Sequence, residues 1–155
     1  MTRARPFHRL PSLLIVIATG IATQVALAAD PIDTTQRKIV DMPPNVPPVL
    51  RGEMVGFLGT MQQAVMLSSE GKFVEASELV ENEMGFSAMG RHAGGVRPGM
   101  FMPPEMHSIA RFMHKASTGW SQALRSGDRA RADAAFAQVL GTCAGCHASF
   151  QLRGR

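Results

Sequence analysis

Near its C-terminus the chain reads Cys143-Ala144-Gly145-Cys146-His147, and no other stretch restricts the fold as much. On a helix, positions i, i+3 and i+4 share one face. One helical turn would therefore present both thiols and the imidazole together. That spacing is the attachment signature of a c-type haem. Two thiols reach the two vinyl groups on one edge of the porphyrin, and the next residue puts an imidazole on the iron, a usual haem anchor. A chain built this way must keep room for a large flat cofactor beside that turn.

The competing readings of the motif each ask for something else. A redox dithiol of thioredoxin type wants a βαβ context, and no stretch here reads as a strand. A structural zinc site wants four ligands, commonly two Cys/His pairs. These are the only two cysteines of the chain, so the second pair would have to come from scattered histidines. A disulfide between Cys143 and Cys146 would close a very small loop and stabilise little.

Residues 1–28 read as a secretory signal peptide that is cleaved. Arg3, Arg5 and Arg9 form a positive start, an apolar run extends from Leu13 towards Ala28, and Ala26-Leu27-Ala28 fits small-x-small cleavage. An uncleaved membrane anchor is the alternative, although Gly20, Thr23 and Gln24 interrupt the run. Export fits the motif, since haem is joined to such motifs outside the energy-transducing membrane, and the expected compartment is the periplasm. With the signal removed, no membrane association is expected.

Export also changes the charge. The whole chain carries 16 Lys+Arg against 12 Asp+Glu, a formal +4. Three of the arginines precede the cleavage point and every acid follows it, leaving 13 basic against 12 acidic residues. The basic residues are scattered and not interleaved with aromatics, so no nucleic acid partner is expected.

Few aromatics, no Tyr and much Ala, Met and Leu favour helices. Residues 29–46 read as an extended lead-in, and 47–155 as one domain. Leu50, Met54, Phe57, Leu58, Met61, Val65 and Met66 recur at helical steps over 47–69, opened by Pro47 and Pro48. A second helix over 72–84 buries Phe73, Ala76, Val80 and Met84. Glycines and Pro98 keep 85–102 irregular, a long connection of the kind that wraps a cofactor. A third helix runs from Pro103 to Arg125 with Met106, Ile109, Ala110, Met113, Ala116, Trp120 and Leu124 inward. Asp128 caps a fourth, which carries Ala132, Ala135, Phe136, Val139, Leu140, Cys143, Cys146 and Phe150 on one face. Small residues such as Ala116, Ala132 and Ala135 are expected to leave the cofactor its space. The fold class is all-α: an antiparallel four-helix bundle enclosing one covalently attached haem.

Over roughly 47–153 the chain resembles the class II c-type cytochromes, the family that includes cytochrome c prime. The resemblance rests on Cys-x-x-Cys-His close to the C-terminus, the following Phe150, the basic Arg153 and Arg155, and the rhythm of short turns around one long connection. The family often has a basic residue directly after the aromatic, where this chain has Gln151. The resemblance implies one haem c, held through Cys143 and Cys146 with His147 as proximal iron ligand. It also implies that the first helix supplies the residue facing the sixth iron position, shortly after an Arg. Here Arg51 precedes Met54, with Val55 the other alignment. A Met there makes a six-coordinate electron carrier; a non-ligand leaves an open site for nitric oxide or carbon monoxide.

Met54 is the expected distal ligand and Met61 the second candidate, set against the general use of Met as a flexible core filler. His92, in the glycine-rich loop, and His107 and His114, on the third helix, are weaker candidates. Met100, Met102, Met106 and His107 form a soft-ligand cluster suited to Cu(I), a third functional reading. The expected protein is a one-electron carrier with redox partner proteins and no substrate turnover. The resemblance adds a homodimer through the first two helices, and the Glu run of the second helix argues against a wholly apolar interface there.

Overall fold

A computed structural model describes residues 33–91 and 95–153 of the chain. The expected signal peptide, His92 and Arg155 lie outside the described residues. Four helices carry the fold: α1 (Val46–Ser69), α2 (Phe73–Glu83), α3 (Pro104–Arg125) and α4 (Arg129–Ser149). The described residues are mostly helical and of the all-α class, as expected. Two single 3-10 turns, Phe86–Ala88 and Pro98–Phe101, break the connection between α2 and α3.

Local chemistry sets the helix ends. Pro47 and Pro104 sit in first turns, where a missing N–H costs nothing. After α1 the chain turns through Gly71, whose φ of 77° suits a residue without Cβ. Lys72 N then donates to Leu67 O and Gly71 N to Ser68 O, the paired bonds of a Schellman stop. Asp128 Oδ1 accepts from Arg131 N at 3.0 Å, the N-cap expected for α4. The motif thus falls in the last two turns of a well-started helix.

Packing divides the interior into two clusters. In the first, Met61, Val80, Met84, Trp120, Leu124 and Val139 are buried together, and Phe136 stacks on Trp120 with ring centroids 4.6 Å apart. Where α2 meets α3, Ser77 and Ser121 hydroxyls lie 3.0 Å apart, and Ser121 Oγ donates to Ser77 O. Small hydroxyls bring the helices close while both stay hydrogen-bonded. The second cluster is Val40, Leu50, Met106 and Phe150, with Met42, Met54, Met102, Ile109, Cys146 and Leu152 against it.

Three expectations need correcting. First, the chain does contain strands: β1 (Lys38–Val40) pairs in parallel with β2 (Phe150–Leu152). Phe150 therefore leaves the α4 face and starts a strand, with its ring buried against Val40. Second, α1 is apolar around more of its circumference than its neighbours cover. Leu58 is 63% exposed, and Val65 and Met66 also reach solvent, as does Leu140 of α4. Third, Ala116, Ala132 and Ala135 pack beside Trp120 and Phe136. They fill the first cluster and make no room in the second.

Candidate functional site

One cavity of about 360 Å³ opens within the second cluster, in the size range of small-molecule and cofactor sites, ~300–1,000 Å³. Three helices and both ends of the described chain wall it. Leu50, Arg51, Met54 and Phe57 come from α1; Met106, Ile109, Ala110 and Met113 from α3; Thr142, Cys143, Cys146 and His147 from α4. Met102 reaches it from the end of the long connection, Arg37 from ahead of β1, and Phe150, Gln151 and Leu152 from β2.

The helical register brings Cys143, Cys146 and His147 to this wall as their spacing predicts. Both cysteines are free and half-buried, and His147 stands exposed at the rim. Burial pushes both thiols above their ordinary pKa, and for Cys146 the neighbouring Cys143 adds to it. A redox dithiol needs the opposite: a depressed pKa, commonly at a helix N-terminus where the dipole favours a thiolate. These two lie at the C-terminal end of α4, where the dipole disfavours one. Among the described residues no three His, Cys, Asp or Glu side chains converge as ligands of a bare metal ion. Cys143, Cys146 and His147 on one largely apolar wall are a donor set that could hold a haem.

The distal candidates separate cleanly. Met54 lines the cavity from α1, whereas Val55 is 69% exposed and faces away. Met61 is buried one cluster further along and does not line the cavity. His114 Nδ1 donates to Met84 O at 2.9 Å, with its ring edge-on to Phe57, so it ties α3 to the end of α2. His107 packs beside Gly99, where an added Cβ would come within 3.3 Å of its ring. Of the soft-ligand cluster, Met102 and Met106 line the cavity, Met100 is 76% exposed, and His107 lies outside the lining.

Sequence reasoning missed Arg37 and Met113 as cavity residues. Met113 was legible as buried, but not as belonging to the cavity. Arg37 carries no local signal, since strand pairing across the molecule brings it in.

Among the described residues no helix is long and apolar enough to cross a membrane. Comparison of the chain with protein-family models, with curated proteins and with solved structures finds no match.

Proposed function

We propose that this chain is an exported monohaem c-type cytochrome, working in the periplasm as a one-electron carrier. The observation that carries the reading is a single apolar cavity walled by both cysteines of the Cys-x-x-Cys-His motif, its histidine, and Met54 from another helix. The four helices are read as an antiparallel bundle around that cavity, with the long connection between α2 and α3 crossing it.

In this reading Cys143 and Cys146 would hold the haem through two covalent thioether links. His147 of α4 and Met54 of α1, both on the cavity wall, would hold the iron. The bound haem supplies an Fe(III)/Fe(II) couple, which Met/His ligation poises at higher potential than an open site. Leu50, Phe57, Ile109 and Met113 exclude water, and a drier pocket favours the state of lower net charge. The rim, where His147 is exposed, is the place for electron exchange with protein partners. The uncovered apolar face of α1 at Val55, Leu58 and Met66 suits a second copy of the chain. No substrate turnover is expected, and no nucleic acid or membrane partner.

The test is an absorption spectrum of protein matured with the c-type haem attachment system, oxidised and reduced, with and without carbon monoxide. A low-spin spectrum with a sulfur-to-iron band that carbon monoxide leaves unchanged is expected. A high-spin spectrum that shifts with carbon monoxide would replace the carrier by a gas-binding site of the cytochrome c prime kind. Absence of covalent haem, with a control cytochrome matured in parallel, would overturn the reading. Stoichiometric Cu(I) uptake by such haem-free protein would favour the copper alternative.

A further inference from the structure

We propose that Arg37 is a carboxylate-binding residue of the cavity, delivered by a strap that residues 33–42 form across the end of α4. The inference rests on the haem reading, because it takes the occupant to be a flat apolar ring bearing two carboxylates.

The strap is docked by several independent contacts. Its strand aligns Lys38 with Phe150, Ile39 with Gln151 and Val40 with Leu152, directly after the motif. Val40 and Phe150 are buried together. Asp41 takes both Arg153 Nε and Nη2, the latter at 3.1 Å, and Arg153 N donates to Val40 O. Ahead of this anchor, Arg37 turns back to the cavity, half-buried, with Nε donating to Thr34 O at 3.0 Å. The Asp33–Thr35 turn, closed by Thr35 N to Asp33 Oδ1 at 2.8 Å, shapes the carbonyl that holds it. With Nε tethered, the rest of the planar donor fork is set for a carboxylate.

The cavity lining itself implies the charge of the occupant. Arg37 and Arg51 stand on it from separate segments, and no Asp or Glu is among the described lining residues. Arg37 is half-buried and Arg51 exposed, so both stand at the cavity mouth; a neutral ring edge would offer them no partner, whereas two carboxylates there would pair with both. Arg51 belongs to α1 and is present whether or not the strap docks. Arg37 is present only when β1 pairs with β2, so the strap decides how much positive charge the occupant meets.

The experiment is a redox titration of the matured full chain at fixed pH and ionic strength, comparing the parent with Arg37→Gln, Lys38→Gln and Val40→Ala. A cation lost near the iron favours the oxidised, more positive state. Arg37→Gln is expected to lower the reduced-to-oxidised ratio about tenfold at a given potential, a fall of about 59 mV for one electron. Lys38→Gln removes the same charge one residue away, from a side chain 67% exposed and paired with Glu105; less than about a twofold change is expected there. Val40→Ala keeps Arg37 and every charge but loosens the strap at its buried anchor, so a smaller shift in the same direction is expected. Equal shifts in Arg37→Gln and Lys38→Gln, or none in the first, would overturn the proposal while the haem reading stands. A shift in Arg37→Gln with none in Val40→Ala would remove the strap's part in it. A parent without covalent haem would overturn both readings before any variant was compared.

Discussion

The two ends of the interior solve opposite problems with similar materials. Around Trp120 the space is closed: a stacked Phe136, alanines on α3 and α4, and serines that let α2 approach α3. Around Cys146 the space is open, and its walls carry Met54, Met102, Met106 and Met113. Rigid rings and small residues fill volume with defined shapes. Thioether side chains adapt their shape to what they meet. The contrast teaches that the first cluster is closed by its own side chains, while the second is walled by side chains that can adapt to an occupant. Met113 belongs to both, buried in the first cluster and lining the cavity of the second.

The sharpest way to break this comparison is to take away the attachment. Matured Cys143→Ser/Cys146→Ser protein is expected to carry no covalent haem on a denaturing gel and to melt well below the parent, because a group bound only to the folded state stabilises it. Equal melting temperatures would mean that the open end is self-sufficient and that the contrast is wrong.

Next in size is damage to the closed end. Trp120 is 2% exposed, and Trp120→Ala is expected to cost about 3–5 kcal/mol in urea unfolding. Its covalent haem spectrum, where folded, should match the parent's, since Trp120 does not line the cavity. A changed spectrum would show the two ends to be coupled.

Met54→Leu makes the reverse distinction. A near-isosteric swap should change stability by less than about 1.5 kcal/mol, yet remove the sulfur-to-iron band and admit carbon monoxide. An unchanged spectrum would return Met54 to being a wall residue.

The smallest expected effect lies at the start of α4. Asp128→Ala removes the side-chain acceptor of Arg131 N and should cost about 1 kcal/mol by thermal unfolding, leaving the haem spectrum untouched. A spectral change there would mean that the cap positions the motif as well as stabilising its helix.

Much of this architecture is written locally. The apolar period, the prolines of the first turns, Gly71 and Asp128 each act within four residues, so the helices fall within a residue or so of where the chain places them. The motif is equally local, because one turn sets which way Cys143, Cys146 and His147 face. Which faces meet is not local. Leu58 and Met66 have the same period as Leu50 and Met54, and only the number of partners around α1 leaves the former pair in solvent. The alanines likewise read as gaps until Trp120 and Phe136 are seen to occupy them.

What the amino-acid order determined alone was a set of amphipathic helices and a Cys-x-x-Cys-His turn near the end of the last one. The tertiary structure decided that Met54 rather than Met61 reaches the cavity, that the Met100–His107 cluster is divided, and that a three-residue strand joins the lead-in to the segment after His147. Three residues are too few for an alternating pattern to register. The strand exists because Phe150 finds Val40, and Arg153 finds Asp41, 112 positions away in the sequence. Contacts of that reach depend on how the helices pack, and local periodicity holds no trace of them.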